Sequence, residues 1–246
     1  MSISEKLTKI AENEQSISNG INTEADLIAE IKSMVDNLPE AGGGGGEDLW
    51  QYVTTLNQTF QYYAFPEGYE LTLNVPNLSM DRDIGNILTG ATGLRKLILK
   101  CGRDDAVIRS YFAFASCQTV EEIDLSQFCS TEIVRITKSD YLFYGAKRLK
   151  TIHGVLDFSQ CTAIGTPFSG ANQIVNITIA PTSIKVDFNI GTCTDLSAAS
   201  IQSIIDGLAD LSAFTTQTLT LHATVGAKLT QEQKDAAAAK NWTLAY

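Results

Sequence analysis

The chain has 246 residues, 44% of them hydrophobic and 19% charged, with a formal net charge of −10 and a pI near 4.7. That length and apolar content support one sizeable core plus an appendage and exclude disorder throughout. The acidic balance supplies no basic footprint for phosphate contacts, which argues against a nucleic-acid partner.

The charge is unevenly placed: residues 1–48 hold 3 Lys against 10 acidic groups, a net of −7, while residues 49–246 carry −3. An acidic arm joined to a nearly balanced body is the expectation. The opening residues lack the apolar core of a secretory signal, and no run of ~20 apolar residues could span a bilayer. The chain is therefore expected to be made in the cytoplasm without a signal peptide and without a membrane span.

Over Ile3–Leu38 a seven-residue repeat places Leu7, Glu14, Ile21, Ile28 and Val35 at one core position and Ile3, Ile10, Ile17, Glu24, Ile31 and Leu38 at the other. Isoleucine at both positions predicts a helical coiled-coil stalk over residues 1–41 and a homo-oligomer, with a trimer favoured over a dimer. The alternative is a helical hairpin, broken at Asn19-Gly20 and restarted by Thr23. Gly42–Gly46 follow, and residues 42–47 read as a flexible linker. They have neither the preceding strand nor the Gly-Lys-Ser/Thr ending of a phosphate-binding loop.

The body, residues 48–194, repeats itself. Leu88-Thr89-Gly90-Ala91, Phe114-Ala115-Ser116-Cys117, Phe143-Tyr144-Gly145-Ala146 and Phe168-Ser169-Gly170-Ala171 are each followed by apolar residues six and nine positions after the first. The residues at offset nine, Leu97, Ile123, Ile152 and Ile177, are 26, 29 and 25 apart, and a weaker copy at Tyr62, Ala64, Leu71 and Leu73 lies 26 upstream. A period in the twenties with L-x-x-L-x-L predicts an α/β leucine-rich repeat solenoid of short parallel strands. The large residue followed by a small pair and L-x-x-I resembles the BspA-type leucine-rich repeat family over residues 60–180. The opening Ser2-Ile3-Ser4-Glu5-Lys6-Leu7-x-x-Ile10-Ala11-Glu12-Asn13 and the closing Leu229-Thr230-x-x-Gln233 to Lys240-Asn241-Trp242-Thr243 are similar to segments of repeat proteins from Firmicutes prophages and phages. The resemblance implies a virion- or tail-associated or adhesive protein, and it carries no catalytic residues.

Trp50 to Tyr69 hold seven aromatics, of which Trp50, Tyr52, Tyr62, Tyr63 and Tyr69 are candidate ligand-stacking residues as well as candidate caps of the first repeat. Alternation along the strands predicts two outward rows. One is Glu70, Lys96, Glu122, Thr151, Asn176 and Thr218; the other is Thr72, Ile98, Asp124, His153, Thr178 and Thr220. Lys96, Asp124 and His153 are the candidate binding residues there. Residues 195–246 read as a final repeat and cap, with a helix from the spacing of Leu196 to Leu211, a strand at Thr218–Leu221, and an Ala-rich helix opened by Thr230 and Gln233.

The five cysteines, Cys101, Cys117, Cys129, Cys161 and Cys193, include no C-x-x-C pair and read as buried small hydrophobes. No metal or cofactor is expected. His153 and His222 stand in no nucleophile or ligand motif, and Asp104-Asp105 and Glu121-Glu122 read as solvated charge. The expected function is a non-enzymatic module binding a protein or glycan partner. The alternatives are a bacterial cell-surface adhesin and a cell-wall carbohydrate hydrolase.

Overall fold

The computed structural model describes residues 56, 60–76, 78, 86–109 and 112–246, all in the second of the chain's two units, Trp50–Tyr246. The coiled coil expected over Ile3–Leu38, the glycine linker, and candidates Trp50 and Tyr52 lie outside the described residues.

The repeated apolar pairs form strands whose alternate side chains point inward. With two further strands they build a curled, all-parallel sheet of seven: β1 (Ala64–Asn74), β2 (Thr92–Lys100), β3 (Val107–Arg109), β4 (Glu122–Asp124), β5 (Ile133–Lys138), β6 (Thr151–Asp157) and β7 (Asn176–Ile179). Its order is β1-β2-β4-β6-β5-β3, with β7 also paired to β6. The sequence ruler becomes a physical register: Leu71 faces Leu97, Leu97 faces Ile123 and Ile123 faces Ile152. All four are buried. Residues 26 to 29 apart in sequence are thus adjacent across the sheet.

Strand β6 serves two neighbours on one side. Its first half, Thr151–His153, pairs with β4, and its second half, Val155–Asp157, pairs with β5. The chain between β4 and β5 leaves as Leu125 N–H donates to the His153 carbonyl at 3.0 Å and is rejoined where Val155 N–H donates to the Glu132 carbonyl at 2.8 Å. Gly154 occupies the junction at φ +100°, where a Cβ would meet the Leu125 carbonyl carbon at 3.1 Å and Val134 at 3.2 Å. Only glycine meets both demands. The strands β3 and β5 are additions to the expected pattern.

The small pair of each repeat has a conformational reason as well as a packing one. Tyr62, Gly90, Ser116, Gly145 and Gly170 all hold the left-handed backbone, with φ between +57° and +79°. Each of the first four donates its N–H to the next turn: Tyr62 to Thr89, Gly90 to Ser116, Ser116 to Tyr144 and Gly145 to Ser169. Beneath this ladder the large residues pile up. The rings of Phe114, Phe143 and Phe168 stack at 5.5 and 5.4 Å with interplanar angles of 12° and 13°, and all three are fully buried.

The chain then changes structure, as the helical spacing predicts. Helix α1 (Ala198–Gly207) buries Ile201, Ile204 and Ile205. The short helix α2 (Ala223–Gly226) and helix α3 (Gln231–Ala239) follow, and α3 opens with the Thr230–Gln233 capping box. Strands β8 (Phe188–Asn189), β9 (Gln217–Thr220) and β10 (Trp242–Ala245) form a separate three-stranded sheet, order β10-β9-β8. This corrects the two expected rows: Thr218 and Thr220 belong to that second sheet, not to the face carrying Glu70 and Asp124. Strand β10 is one edge of that sheet. Among the described residues no helix is long and apolar enough to cross a membrane.

Candidate binding face

The outward row Glu70–Lys96–Glu122–Thr151–Asn176 runs in register across β1, β2, β4, β6 and β7. The second row holds as Thr72–Ile98–Asp124–His153. It stops there, because the shift at Gly154 brings Thr178 opposite Val155 instead of His153. Parallel strands at ~4.8 Å spacing place these side chains within reach of one another.

Lys96 Nζ lies 3.3 Å from Glu122 Oε2, and His153 Nε2 lies 3.4 Å from the same oxygen. The other Glu122 oxygen is 3.1 Å from Arg95, whose guanidinium also pairs with Glu70. Arg95 therefore ties β1 to β4 across β2. Burial by itself would raise the Glu122 carboxyl, but hydrogen bonds from Lys96 and His153 and the charges of Lys96 and Arg95 outweigh it and hold it below its ordinary value. Asp124 is also held low: burial opposes ionisation, and bonds from the Ser126 hydroxyl and N–H, at 2.7 and 3.0 Å, overcome it.

A third row, one residue upstream, was missed by the sequence reading. The Glu121 N–H donates to the Arg95 carbonyl, and the Lys150 N–H to the Glu121 carbonyl, each at 2.8 Å. The Glu121 carboxylate pairs with Lys150 at 3.1 Å and Arg148 at 3.2 Å. Glu121, Glu122 and Asp105, which pairs with Arg103 at 2.6 Å, are thus ion-paired rather than simply solvated. The signal was the first variable position of L-x-x-L, which reads Arg95, Glu121 and Lys150 in alternating sign. The next two rows are bounded by a groove of about 520 Å³, lined among others by Asp124, Glu132, Thr151, His153, Asn176 and Thr178.

The candidate aromatics do not form one patch. Tyr63 and Tyr69 are half-buried against Phe65, with ring centroids 4.6 and 5.6 Å away, and Phe60 closes the cluster 5.9 Å from Tyr63. Tyr62 stands apart, 74% exposed, over Gly90, where any side chain would collide with its ring. His222 has a structural task as the N-cap of α2, its Nδ1 accepting from the Thr224 N–H at 3.2 Å. Among the described residues no group of three or more His, Cys, Asp or Glu side chains is placed to hold a metal.

No family model matches the chain, and no curated protein and no solved structure matches it at a significant level.

Proposed function

We propose that the chain is a non-enzymatic binding or structural protein. In this reading residues 48–194 form a BspA-type leucine-rich repeat solenoid, closed by residues 195–246 and displayed on an oligomeric coiled-coil arm, Ile3–Leu38, in a phage virion or tail. The observation that supports it is the in-register polar surface Glu70–Lys96–Glu122–Thr151–Asn176 on one face of the parallel sheet. Repeat proteins use such continuous surfaces to meet partners. Display on several arms would let weak contacts add.

Lys96, Asp124 and His153 are the contact residues in this reading, with the groove beside Asn176 as the deeper part of the surface. The pairing of Lys96, Arg95 and Glu122 prearranges their side chains, which lowers the entropy lost on binding. Gold-labelled antibody against the chain is expected to decorate purified phage particles of the encoding genome. Decoration of the bacterial surface alone would favour the adhesin, and labelling of neither would overturn the reading. Release of soluble fragments from peptidoglycan by the purified chain would make it a hydrolase instead.

A further inference from the structure

Three aromatic side chains outside the charged rows stand together at the surface. Phe112, Tyr141 and Tyr144 are 41%, 41% and 44% exposed. Phe112 and Tyr141 stack at 5.2 Å with an interplanar angle of 5°. Tyr144 is turned 89° from Tyr141, with the centroids 5.4 Å apart. Among the described residues no ring stacks on Tyr144.

The turn itself does not require tyrosine at positions 141 and 144. Asn86 precedes Leu88 as Tyr141 precedes Phe143, two residues before the buried large side chain, and the two hold the same left-handed backbone, φ +50° and +57°. Asparagine visits that region readily, whereas a bulky aromatic is strained there. Thr89 and Ser169 likewise fill the position of Tyr144, directly after the large residue. The same turn is thus built elsewhere in this chain with small polar residues. A strained, exposed aromatic where asparagine serves the backbone points to a ligand.

The surroundings select the chemistry. The N–H of Asn86 donates to the Phe112 carbonyl at 2.9 Å, that of Ser116 to the Tyr144 carbonyl at 2.6 Å, and that of Gly145 to the Ser169 carbonyl at 2.8 Å. Asn86, Ser116 and Ser169, the described backbone partners of these turns, are all half-exposed and all carry neutral hydrogen-bonding side chains. Asp140, the charge next in sequence, is turned against Gly165. These three residues offer a charged peptide no counter-charge, and a purely apolar partner would desolvate their amide and hydroxyl groups without replacement bonds. A pyranose ring offers an apolar C–H face for the aromatics and hydroxyls for the rim.

We propose that Phe112, Tyr141 and Tyr144 form a carbohydrate-binding platform that takes uncharged sugar rings of an oligosaccharide. The proposal rests on the binding-module reading but places its ligand away from the charged rows.

The test is titration calorimetry of the full chain with chitohexaose and cellohexaose, together with a printed array of bacterial surface glycans. The variant Tyr141→Asn/Tyr144→Thr gives this turn the residues that Asn86 and Thr89 supply in an earlier one, and an unchanged circular dichroism spectrum and melting curve verify its fold. The wild type is expected to bind a glycan from this set, and the variant to bind it at least about tenfold more weakly, the loss expected for a stacked ring. Equal binding by the variant, or no glycan binding by the wild type, overturns the platform. If Lys96→Glu abolishes glycan binding and the aromatic variant leaves it intact, the ligand sits on the charged rows: the platform falls and the binding-module reading stands.

Discussion

The backbone N–H of Ile177 donates to the Ser200 hydroxyl at 3.0 Å, and that hydroxyl donates in turn to the Val175 carbonyl at 2.9 Å. Ser203 repeats the arrangement one turn later, accepting from the Ile179 N–H at 2.8 Å and donating to the Ile179 carbonyl at 3.3 Å. Two serines three apart on one face of α1 thus meet the backbone edge of β7 where another strand would otherwise pair. The helix is able to follow a parallel strand without orphaning its buried polar groups.

Ser200 is buried, and replacing it with alanine leaves the Ile177 N–H and Val175 carbonyl without this partner. Ser200→Ala is expected to cost about 1–3 kcal/mol, read as a lower urea midpoint with an unchanged slope. Ser200→Thr, which keeps the hydroxyl, separates the lost bonds from any change in packing.

Gly154→Ala is expected to destabilise by more than ~1 kcal/mol, because the added methyl combines an unfavourable φ with crowding against Leu125 and Val134. A thermal melt of the variant checks this. A melting temperature equal to that of the wild type would mean that the β4–β6–β5 junction does not need glycine.

Glu122 sits below its ordinary pKa, so its contribution to stability is present above the unfolded-state value and is lost as pH falls through the folded-state value. Glu122→Gln is expected to lower stability at pH 7 and to flatten the decline between about pH 5 and pH 3. Asp124, also held low, keeps part of that decline in the variant. Urea titrations across the pH series measure both effects, and parallel wild-type and variant curves would remove Glu122 from the acid-sensitive network.

All five cysteines are free and buried. Burial pushes Cys193 up to about 12 and Cys161 up to about 11, so little thiolate is present near neutral pH. Ellman's reagent is expected to react slowly with the folded chain and to label all five thiols only after denaturation. Fast stoichiometric labelling of the native protein would contradict this burial.

The candidate face was legible where it depends on alternation along one strand. Glu70, Lys96 and Glu122 form a row because residues at the same point of each repeat meet across the sheet, and repeat spacing is visible in sequence. Arg95 was not legible, because its reach to both Glu70 and Glu122 depends on a side chain crossing between rows. Phe112, Tyr141 and Tyr144 were passed over because two of them lie outside the repeated apolar positions and the third fills a variable one.

Local chemistry determined the elements. Apolar spacing marked the strands at Leu71, Leu97, Ile123 and Ile152 and the buried face of α1, and the Thr230–Gln233 pair marked the start of α3. Tertiary structure alone decided that β6 would divide between β4 and β5, that Thr178 would slip past His153, and that Ser200 and Ser203 would stand in for a strand. The physical reason is range. Periodicity and capping act between residues a few positions apart, whereas an edge chooses its partner by which backbone groups, separated by more than twenty residues, are brought side by side and must be hydrogen-bonded once buried.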